Sequence, residues 1–384
     1  RVEELLSKDM AYRCYCAPDE LEARRREAMA QGKIPRYDGR CRTRTEPVPG
    51  RNPAIRFKAV AEGETVVDDL VKGRVVFENS TVDDLIIQRS DGTPTYNFCV
   101  VVDDVDMAIT HVIRGDDHLN NTPRQVQLYR AFGFQIPRFG HLSMILGSDK
   151  ARLSKRHGAT SVQSYREEGY LPEAMVNYLV RLGWSRGDQE IFSREEMVRE
   201  FSLQNITRSP AVFNPEKLLW LNAHYIKNGD PKRLAELLAP HLERLGADSS
   251  RLDRAAIERI VFVLRERART LREMAESALY FFSEEVDPDE KAARVLSAET
   301  LPVLEKIHRK FSEIPFDPVS LENAAREITE ETGLKMSAIA QPIRAAITGR
   351  TVSPGIFDVL MILGKEKSLE RIETQIRRLA SLHK

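Results

Sequence analysis

The sequence changes character near Arg166, and this change limits the fold more than any other feature. Before it, short runs rich in Val, Ile, Phe and Thr alternate with polar loops, which is typical of strands. After it, apolar residues recur three or four positions apart, as along one face of a helix. The predicted strands are Thr65 to Leu70, Arg74 to Glu78, Leu85 to Arg89, Tyr96 to Val102, His111 to Ile113 and Gly140 to Leu146. We therefore expect an α/β N-terminal part and an all-α C-terminal part.

Length and composition narrow the class of protein. The 384 residues suffice for two or three domains of about 150 residues each. The 58 basic side chains balance 58 acidic ones, so a polyanionic partner would have to be bound by local patches. No uncharged apolar run approaches the ~18 residues of a membrane span, so no membrane partner is expected. Four cysteines are too few for a disulfide framework, which predicts a reducing, cytoplasmic location.

Helix boundaries are marked by residues that cap or break helices. Ser193 and Glu196 have the spacing of a capping box, in which each side chain accepts a hydrogen bond from the other residue's backbone N–H. The other signals are Asn214-Pro215 and Ser353-Pro354 as helix starts, Gly349 as a helix end, and the polar turns 228–231 and 287–289 as joints. They predict an array of separate helices.

A strand, a helix and a second strand follow one another between His111 and Leu146. Thr122 and Pro123 are predicted to start the helix as its N-cap and first residue, and Gly133 to end it. Such a unit almost always forms a right-handed crossover between parallel strands. The loops that leave the carboxyl ends of both strands should therefore lie at one edge of the sheet.

Two polar loops meet at this predicted edge, at residues 114–118 and 147–158. The second loop sets several basic side chains against one acid, Asp149, at a position where α/β sheets commonly bind phosphates. A solvated basic loop has the same composition, so charge alone leaves both interpretations open. The basic residues of the second loop are Lys150, Arg152, Lys155, Arg156 and His157.

The second loop reads RLSKRHG at 152–158 and resembles the KMSKS-type signature of class I aminoacyl-tRNA synthetases, in the form used by glutamyl-tRNA synthetases. Other segments are similar to the same family in order and spacing. Those at 91–98, 101–104, 110–118 and 121–125 resemble its second half-Rossmann segment, and those at 213–218, 220–222, 341–344 and 348–355 resemble its stem-contact and anticodon-binding regions. The resemblance covers essentially the whole chain.

The resemblance implies an α/β fold, a partial Rossmann catalytic domain with an α+β insertion, followed by an all-α anticodon-binding region. The implied domains are an acceptor-arm insertion at 1–92, the second catalytic half at 93–150, the signature loop and stem-contact domain at 151–230, and helical anticodon-binding subdomains at 231–288 and 289–384. The family's first half-Rossmann segment, which bears the HIGH motif, has no counterpart here. We therefore expect an N-terminally truncated chain.

By this resemblance the chain is an enzyme, a glutamate-tRNA ligase. It would use ATP and Mg²⁺ to form glutamyl-adenylate, pass glutamate to tRNA(Glu), and act as a monomer. Three alternatives are weighed against it. A glutaminyl-tRNA synthetase shares the catalytic loops but reads the anticodon with β-barrels, which the helical tail opposes. The shortened relatives that glutamylate a modified tRNA base lack an anticodon domain, which the long tail after Pro231 also opposes. A truncated chain could instead act only as a tRNA-binding module. Whether tRNA(Gln) is also charged stays open.

The resemblance also assigns residues to the ATP site. Lys155 would stabilise the departing pyrophosphate, assisted by Arg152 and Arg156, and Ser154 would join Lys155 in binding ATP. Cations suit this role because phosphoryl chemistry is catalysed mainly by positioning and by neutralising developing negative charge. For Arg156, a phosphate contact to tRNA is an equal alternative.

Tyr96 and Arg114 would line the glutamate pocket by the same resemblance. A guanidinium can bind a carboxylate through two parallel hydrogen bonds, and a tyrosine hydroxyl adds another. Without the family match, Tyr96 would read as a strand residue with a buried ring. Asp116, Asp117 and His118 fit contacts to the amino group, ribose or Mg²⁺, or helix caps, and are left unassigned.

Three cysteines form a second cluster, Cys14-x-Cys16 and, after 24 intervening residues, Cys41. Three thiols and one further donor could hold a structural zinc ion. In zinc-carrying relatives the matching positions are similar, with the fourth ligand a His two residues beyond the last Cys. Here that residue is Thr43, which leaves Tyr37 as the substitute. Thiols that only fill a hairpin core are the alternative.

Two basic stretches are candidate RNA contacts. Residues 24–44 hold eight basic side chains against Glu27 and Asp38, and residues 333–350 hold three basic side chains and no acid. Two separated patches suit an elongated RNA, and each phosphate contact would steepen the salt dependence of binding. The alternative is a solvated helix face.

Overall fold

The computed structural model describes residues 1–33, 35–154, 156, 161–248 and 253–381. The chain forms two compact units. Unit 1 comprises Arg1–Leu153 and Val180–Phe213, and unit 2 comprises Ser154–Leu179 and Asn214–Lys384. No helix in these described ranges combines the length and the apolar character that crossing a bilayer requires.

The first part of the chain runs α1 Val2–Ser7, β1 Ala11–Cys14, α2 Pro18–Ala30, β2 Ala54–Phe57, β3 Glu64–Asp69, β4 Gly73–Glu78, β5 Ile86–Gln88, α3 Tyr96–Asp106, β6 His111–Gly115, α4 Thr122–Phe132, β7 Arg138–Leu142 and β8 Ile145–Leu146. The middle part runs α5 Val162–Glu167, α6 Pro172–Gly183, α7 Arg194–Glu200, β9 Ala211–Val212, α8 Pro215–Asn228 and α9 Pro231–Arg244. The last part runs α10 Arg254–Leu264, α11 Leu271–Phe282, α12 Glu290–Val295, α13 Leu301–Glu313, α14 Pro318–Thr332, α15 Met336–Thr348, α16 Ile356–Leu363 and α17 Lys365–Ser381.

Unit 1 contains the strands. β1, β2 and β5 form an antiparallel sheet in that order, β3 and β4 form a hairpin, and β8 pairs with β9 in parallel. β6 and β7 are parallel, in a register that pairs His111 with Arg138 and Gly115 with Leu142. Since α4 connects these two strands, the predicted strand–helix–strand unit is confirmed. Both strands end at the same sheet edge.

The start of α4 corrects a detail of the prediction. Thr122 is the first helical residue, Asn121 precedes it as N-cap, and neither side chain caps the helix. The Thr122 hydroxyl is instead engaged with Arg114. Gly133 ends the helix as predicted, in the left-handed conformation with φ of 76°.

Three other sequence expectations need correction. The predicted strand Tyr96 to Val102 is helix α3, because Phe98 and Val101, three residues apart, both pack into the core of unit 1. Tertiary packing overrides the strand preference of the Val run there. The expected strand Gly140 to Leu146 divides into β7 and β8. The helix expected at Ser353-Pro354 begins two residues later, at Ile356.

Unit 2 is helical, as expected, and most of its buried apolar side chains form one large cluster. The Asn214 side chain caps α8 by accepting from the backbone of Glu216 and Lys217, and Gly349 ends α15 with φ of 69°. The capping box of Ser193 and Glu196 is also confirmed, in unit 1. The turns 228–231 and 287–289 separate helices as predicted.

Candidate functional site

Arg114 lies near the carboxyl end of β6 and is partly buried. Its Nε donates to Nε2 of His141 at 3.1 Å. Its Nη2 lies 3.0 Å from Oγ1 of Thr122 and 2.9 Å from Oε1 of Gln125. These three partners are fully or almost fully buried. The guanidinium is therefore held along one side by a rigid polar shell.

His141 is itself held by Asp69, which ends β3. Nδ1 of His141 lies 2.6 Å from Oδ2 of Asp69, and both side chains are completely shielded from solvent. Burial alone would raise the pKa of Asp69, but hydrogen bonds from the Lys72 backbone and His141 outweigh it and lower that pKa. Burial lowers the pKa of His141 despite the opposing effect of Asp69. Asp69 is thus a carboxylate, and the imidazole is neutral.

Tyr96 begins α3, with about half of its surface exposed. Its ring centroid lies 5.8 Å from that of His118. Burial lowers the pKa of Arg114, and the charge and hydrogen bonding of Tyr96 partly offset that lowering. The structure therefore brings together the two residues predicted for the amino-acid pocket.

The guanidinium differs from the prediction in how it can bind a carboxylate. Its hydrogen bonds to His118, Thr122, Gln125 and His141 use Nε and Nη2, and the guanidinium also interacts with the Tyr96 hydroxyl. Nε and Nη2 already donate to protein groups, so they cannot together bind a carboxylate through two parallel hydrogen bonds. Nη1 and the Tyr96 hydroxyl are the donors that remain for a ligand.

The first part of the second predicted loop, residues 147–152, lies beside the first loop at the sheet edge. Nη2 of Arg152 is 3.3 Å from Oδ2 of Asp117, and Arg152 forms an isolated bridge with Leu146 of β8. The chain reverses at Lys150, whose φ is 60°. Arg152 keeps about two thirds of its side chain exposed, so its ion pair with Asp117 is screened by solvent.

The structure describes two more of the predicted signature-loop residues. Ser154 and Arg156 are exposed residues of unit 2. Lys155, the predicted catalytic cation, and His157 lie outside the described residues.

A lysine that the sequence analysis missed lies beside the first loop. Nζ of Lys72 is 2.8 Å from Oδ2 of Asp116 and 2.8 Å from Oγ of Ser143. Asp69, Lys72 and His141 were missed because each is distant in sequence from its partner in the site. Gln125 lies within the segment 121–125 that carries the resemblance but was given no role. The signals that the sequence offers are a histidine within β7 and an aspartate at the end of β3.

The three cysteines of the second cluster converge. The sulfurs of Cys14, Cys16 and Cys41 lie within 4.8 Å of one another, and all three are free thiols. The Tyr37 hydroxyl is 3.4 Å from the Cys14 sulfur and 3.7 Å from the Cys16 sulfur. Arg56 also approaches, with Nε 3.3 Å from the Cys14 sulfur. The predicted set is therefore assembled.

The chemistry of this donor set fits a metal ion. A tetrahedral zinc ion with Zn–S bonds of ~2.3 Å would hold two sulfurs about 3.8 Å apart. Cys16 and Cys41 sulfurs are 3.7 Å apart. Burial would raise the pKa of Cys41, but hydrogen bonds led by that of Tyr37 lower it to about 7. One thiolate is thus readily formed, whereas burial raises the pKa of Tyr37.

Several charges of the 24–44 stretch are already paired. Arg24 and Arg40 both bind Asp38, at 3.0 and 3.1 Å, and Arg42 binds Asp84 at 2.8 Å. Such pairs reduce the positive charge that the stretch can offer to a phosphate backbone.

In the 333–350 stretch, Arg344 donates to the carbonyls of Ser353 and Pro354 at 2.9 and 2.8 Å. Arg350 is exposed and lines a cleft of about 300 Å³ together with Arg267 and Tyr280. One of the predicted cations therefore supports a turn, and another faces solvent.

Comparison with known proteins adds to this geometry. A family described as "tRNA synthetases class I (E and Q), catalytic domain" matches residues 1–220, and one described as "Anticodon binding domain" matches residues 233–376. The glutamate–tRNA ligase of Geotalea uraniireducens is 55% identical over 97% of this chain and 80% of its own length. That of Geobacter sulfurreducens is 53% identical over 98% of this chain and 80% of its own length.

A solved structure agrees with these sequence matches. The crystal structure of a glutamate tRNA ligase from Elizabethkingia meningosepticum in complex with its amino acid has a TM-score of 0.82 at 30% identity, covering 98% of this chain and 81% of that one. The predicted fold class and family resemblance are confirmed. The chain belongs to the class I aminoacyl-tRNA synthetases, in the family specific for glutamate and glutamine.

Proposed function

We propose that this chain ligates L-glutamate to tRNA(Glu) with ATP, through glutamyl-adenylate, releasing AMP and pyrophosphate. The observation that carries the proposal is the buried polar shell that holds the Arg114 guanidinium, which also interacts with Tyr96. A carboxylate offers only acceptors to these donors. A glutamine side chain offers one acceptor oxygen and one NH2 group, so with two fixed donors its NH2 would face one of them, and the pair favours glutamate.

Activation joins an α-carboxylate oxygen of glutamate to the α-phosphorus of ATP, and the bond to pyrophosphate breaks. Negative charge builds on the departing pyrophosphate. We assign its stabilisation to Lys155, assisted by Arg152 and Arg156, with Ser154 at the ATP phosphates. Mg²⁺, when bound, would neutralise phosphate oxygens. The glutamyl group then passes to the terminal adenosine of tRNA.

Glutamate-dependent ATP–pyrophosphate exchange, with and without tRNA, tests the proposal. We expect exchange that needs glutamate and is not supported by glutamine. Lys155→Ala should abolish exchange and leave tRNA affinity nearly unchanged. Lys150→Gly removes a charge from the same loop at a position where φ of 60° suits glycine, and it should retain exchange. tRNA binding without exchange in the wild-type chain would show a binding module only.

We propose one structural zinc ion, held by Cys14, Cys16 and Cys41 with Tyr37 as fourth ligand. Their convergence within hydrogen-bonding distance supports it. Metal analysis of the purified protein should find about one zinc per chain, and Cys41→Ser should release it and lower Tm. Protein that is metal-free yet has the same Tm with and without added zinc would contradict the proposal.

The cleft lined by Arg267 and Arg350 is a proposed contact for the tRNA anticodon. Its support is the exposed cation in a region that matches the anticodon-binding family. We further propose that the chain acts as a monomer in the cytoplasm. The division at residues 92, 150, 230 and 288 also stays a prediction.

A further inference from the structure

We propose that Asp69 and His141 act as a positioning pair that orients the Arg114 guanidinium toward the side-chain carboxylate of glutamate. The inference rests on the proposed function, because it takes Arg114 as the glutamate-binding cation. Neither residue touches the substrate in this scheme. Asp69 acts on His141, and His141 acts on Arg114.

The direction of each hydrogen bond follows from donor and acceptor chemistry. The Asp69 carboxylate only accepts, so Nδ1 of His141, 2.6 Å away, must carry a proton. Nε of Arg114 only donates, so Nε2 of His141, 3.1 Å away, must be unprotonated. A single tautomer of a neutral imidazole satisfies both neighbours.

Thr122 closes the network. Its hydroxyl lies 3.0 Å from Nη2 of Arg114 and 3.2 Å from Nε2 of His141. Because the arginine nitrogen must donate, the hydroxyl oxygen accepts there and its proton is free for Nε2. Nε2 thus accepts from both Arg114 and Thr122, and a proton on Nε2 would face both of these donors.

Asp69 cannot turn away from His141. Its Oδ1 accepts from the backbone N–H groups of Val71, Lys72 and His141 at 2.9, 2.8 and 3.1 Å. Three fixed donors on one oxygen set the plane of the carboxylate, so Oδ2 points at Nδ1. The side chain is buried, which removes water as a competing partner.

The far side of the guanidinium is fixed in the same way. Gln125 accepts from Nη2 of Arg114 at 2.9 Å and donates to Oδ1 of Asn97, also at 2.9 Å. Since the guanidinium is planar, two fixed nitrogens determine where the third points. The shell therefore fixes the direction of Nη1 before any ligand binds, which lowers the ordering cost of binding.

Two substitutions of His141 separate positioning from folding. In His141→Gln the amide reaches the place of Nε2 and can still accept from Arg114. In His141→Asn the shorter amide reaches the place of Nδ1 and keeps only the bond to Asp69. We expect His141→Asn to raise the KM for glutamate at least 10-fold, with the KM for ATP changed less than 2-fold. His141→Gln should restore most of the glutamate affinity.

Asp69→Asn tests the tautomer. Asparagine can keep the three backbone bonds with its oxygen and would then donate to Nδ1, moving the imidazole proton to Nε2 against Arg114. We expect the KM for glutamate to rise as in His141→Asn. In His141→Gln the side-chain amide can rotate to suit either neighbour. Adding Asp69→Asn to that variant should therefore raise the KM for glutamate much less than Asp69→Asn does in the wild-type chain.

The controls make each outcome decisive. ¹⁵N NMR of histidine-labelled wild-type protein should show His141 protonated at Nδ1, and an Nε2–H tautomer would overturn the proposal. His241→Gln, in α9 of unit 2, should leave the KM for glutamate unchanged. Equal KM values for glutamate in His141→Gln, His141→Asn and wild type would refute positioning. So would losses of glutamate affinity that are the same in both variants and parallel their decrease in Tm. Wild-type protein without glutamate-dependent exchange would instead refute the proposed function.

Discussion

A partly buried arginine of unit 1, Arg114, and a buried arginine of unit 2, Arg371, are held in opposite ways. Arg371 donates through Nη1 to the carbonyl of Ile347 at 2.5 Å. Its Nη2 donates to the carbonyls of Tyr280 and Ser283 at 2.7 and 2.6 Å. Arg114 instead donates mainly to side chains, through Nε and Nη2, and its guanidinium also interacts with the half-exposed Tyr96.

The partners explain the difference. The carbonyls bound by Arg371 belong to the ends of α11 and α15, where helices leave carbonyls unsatisfied and carry partial negative charge. Arg371 thus joins helix ends, and burial lowers its pKa to about 10. Arg114 has side-chain partners that fix its direction without using all of its donors. Arg371 uses both terminal nitrogens on carbonyls and leaves only its buried Nε without a partner, where no ligand can reach it. The two arginines therefore differ in whether a terminal nitrogen stays available to a ligand.

Arg371→Leu should cause the largest loss of unfolding free energy among these variants. It removes three hydrogen bonds from a charged group and leaves three buried carbonyls without partners, at a cost of about 3 to 4 kcal/mol of unfolding free energy. Urea denaturation measures this cost. Arg371→Lys, which keeps the charge and part of the bonding, should lose less. If glutamate KM rose in the folded fraction of Arg371→Leu, the division between structural and binding arginines would fail.

Arg114→Ala should raise the KM for glutamate about 100-fold, or ~2.7 kcal/mol, because a charge-assisted contact is lost and its shell is disordered. The KM for ATP should change less than 3-fold. Steady-state exchange at varied concentrations of each substrate measures both. A matched rise in both values would argue against a carboxylate contact.

Tyr96→Phe removes the second proposed donor and keeps the ring. One hydrogen bond to a carboxylate is worth about 1.5 kcal/mol, so the KM for glutamate should rise about 10-fold. Thermal unfolding should be unaffected, because the side chain is about half exposed. Unchanged glutamate KM would remove Tyr96 from the pocket and leave Arg114 alone.

Arg326→Ala should cause the smallest loss of unfolding free energy, and it is the reference for an exposed arginine. Arg326 pairs with Glu322 one helical turn away at 2.6 Å, with both side chains largely exposed. Such pairs contribute about 0.3 to 0.5 kcal/mol because solvent screens them. A loss above 1 kcal/mol would show that exposure is a poor guide to the role of arginine in this protein.

The regions predicted best from sequence are those with local signals. Pro123 and Gly133 mark helix α4, and Asn214 caps α8, since turn and cap chemistry acts within a few residues. The strand expected at Tyr96 to Val102 was wrong. Its Val-rich composition suits a strand, but the spacing of Phe98 and Val101 toward the core favours helix α3.

The residues of the candidate site also divide into those that sequence identified and those that only the structure revealed. Arg114, Tyr96 and the three cysteines were named from sequence through a family resemblance that the comparisons confirm, while their individual roles stay predictions. Asp69 was missed because it meets His141 across 72 residues. No periodicity or spacing rule links residues at that distance, and only the pairing of sheet strands and turns brings them together.

The order of residues by itself determined the helix caps, the parallel crossover and the motif-bearing loops, because each depends on neighbours a few positions away. Tertiary structure alone decided which nitrogen of Arg114 remains for a ligand and which tautomer His141 adopts. Hydrogen bonding is directional and a buried donor must find an acceptor, so those assignments depend on partners that folding delivers from distant parts of the chain.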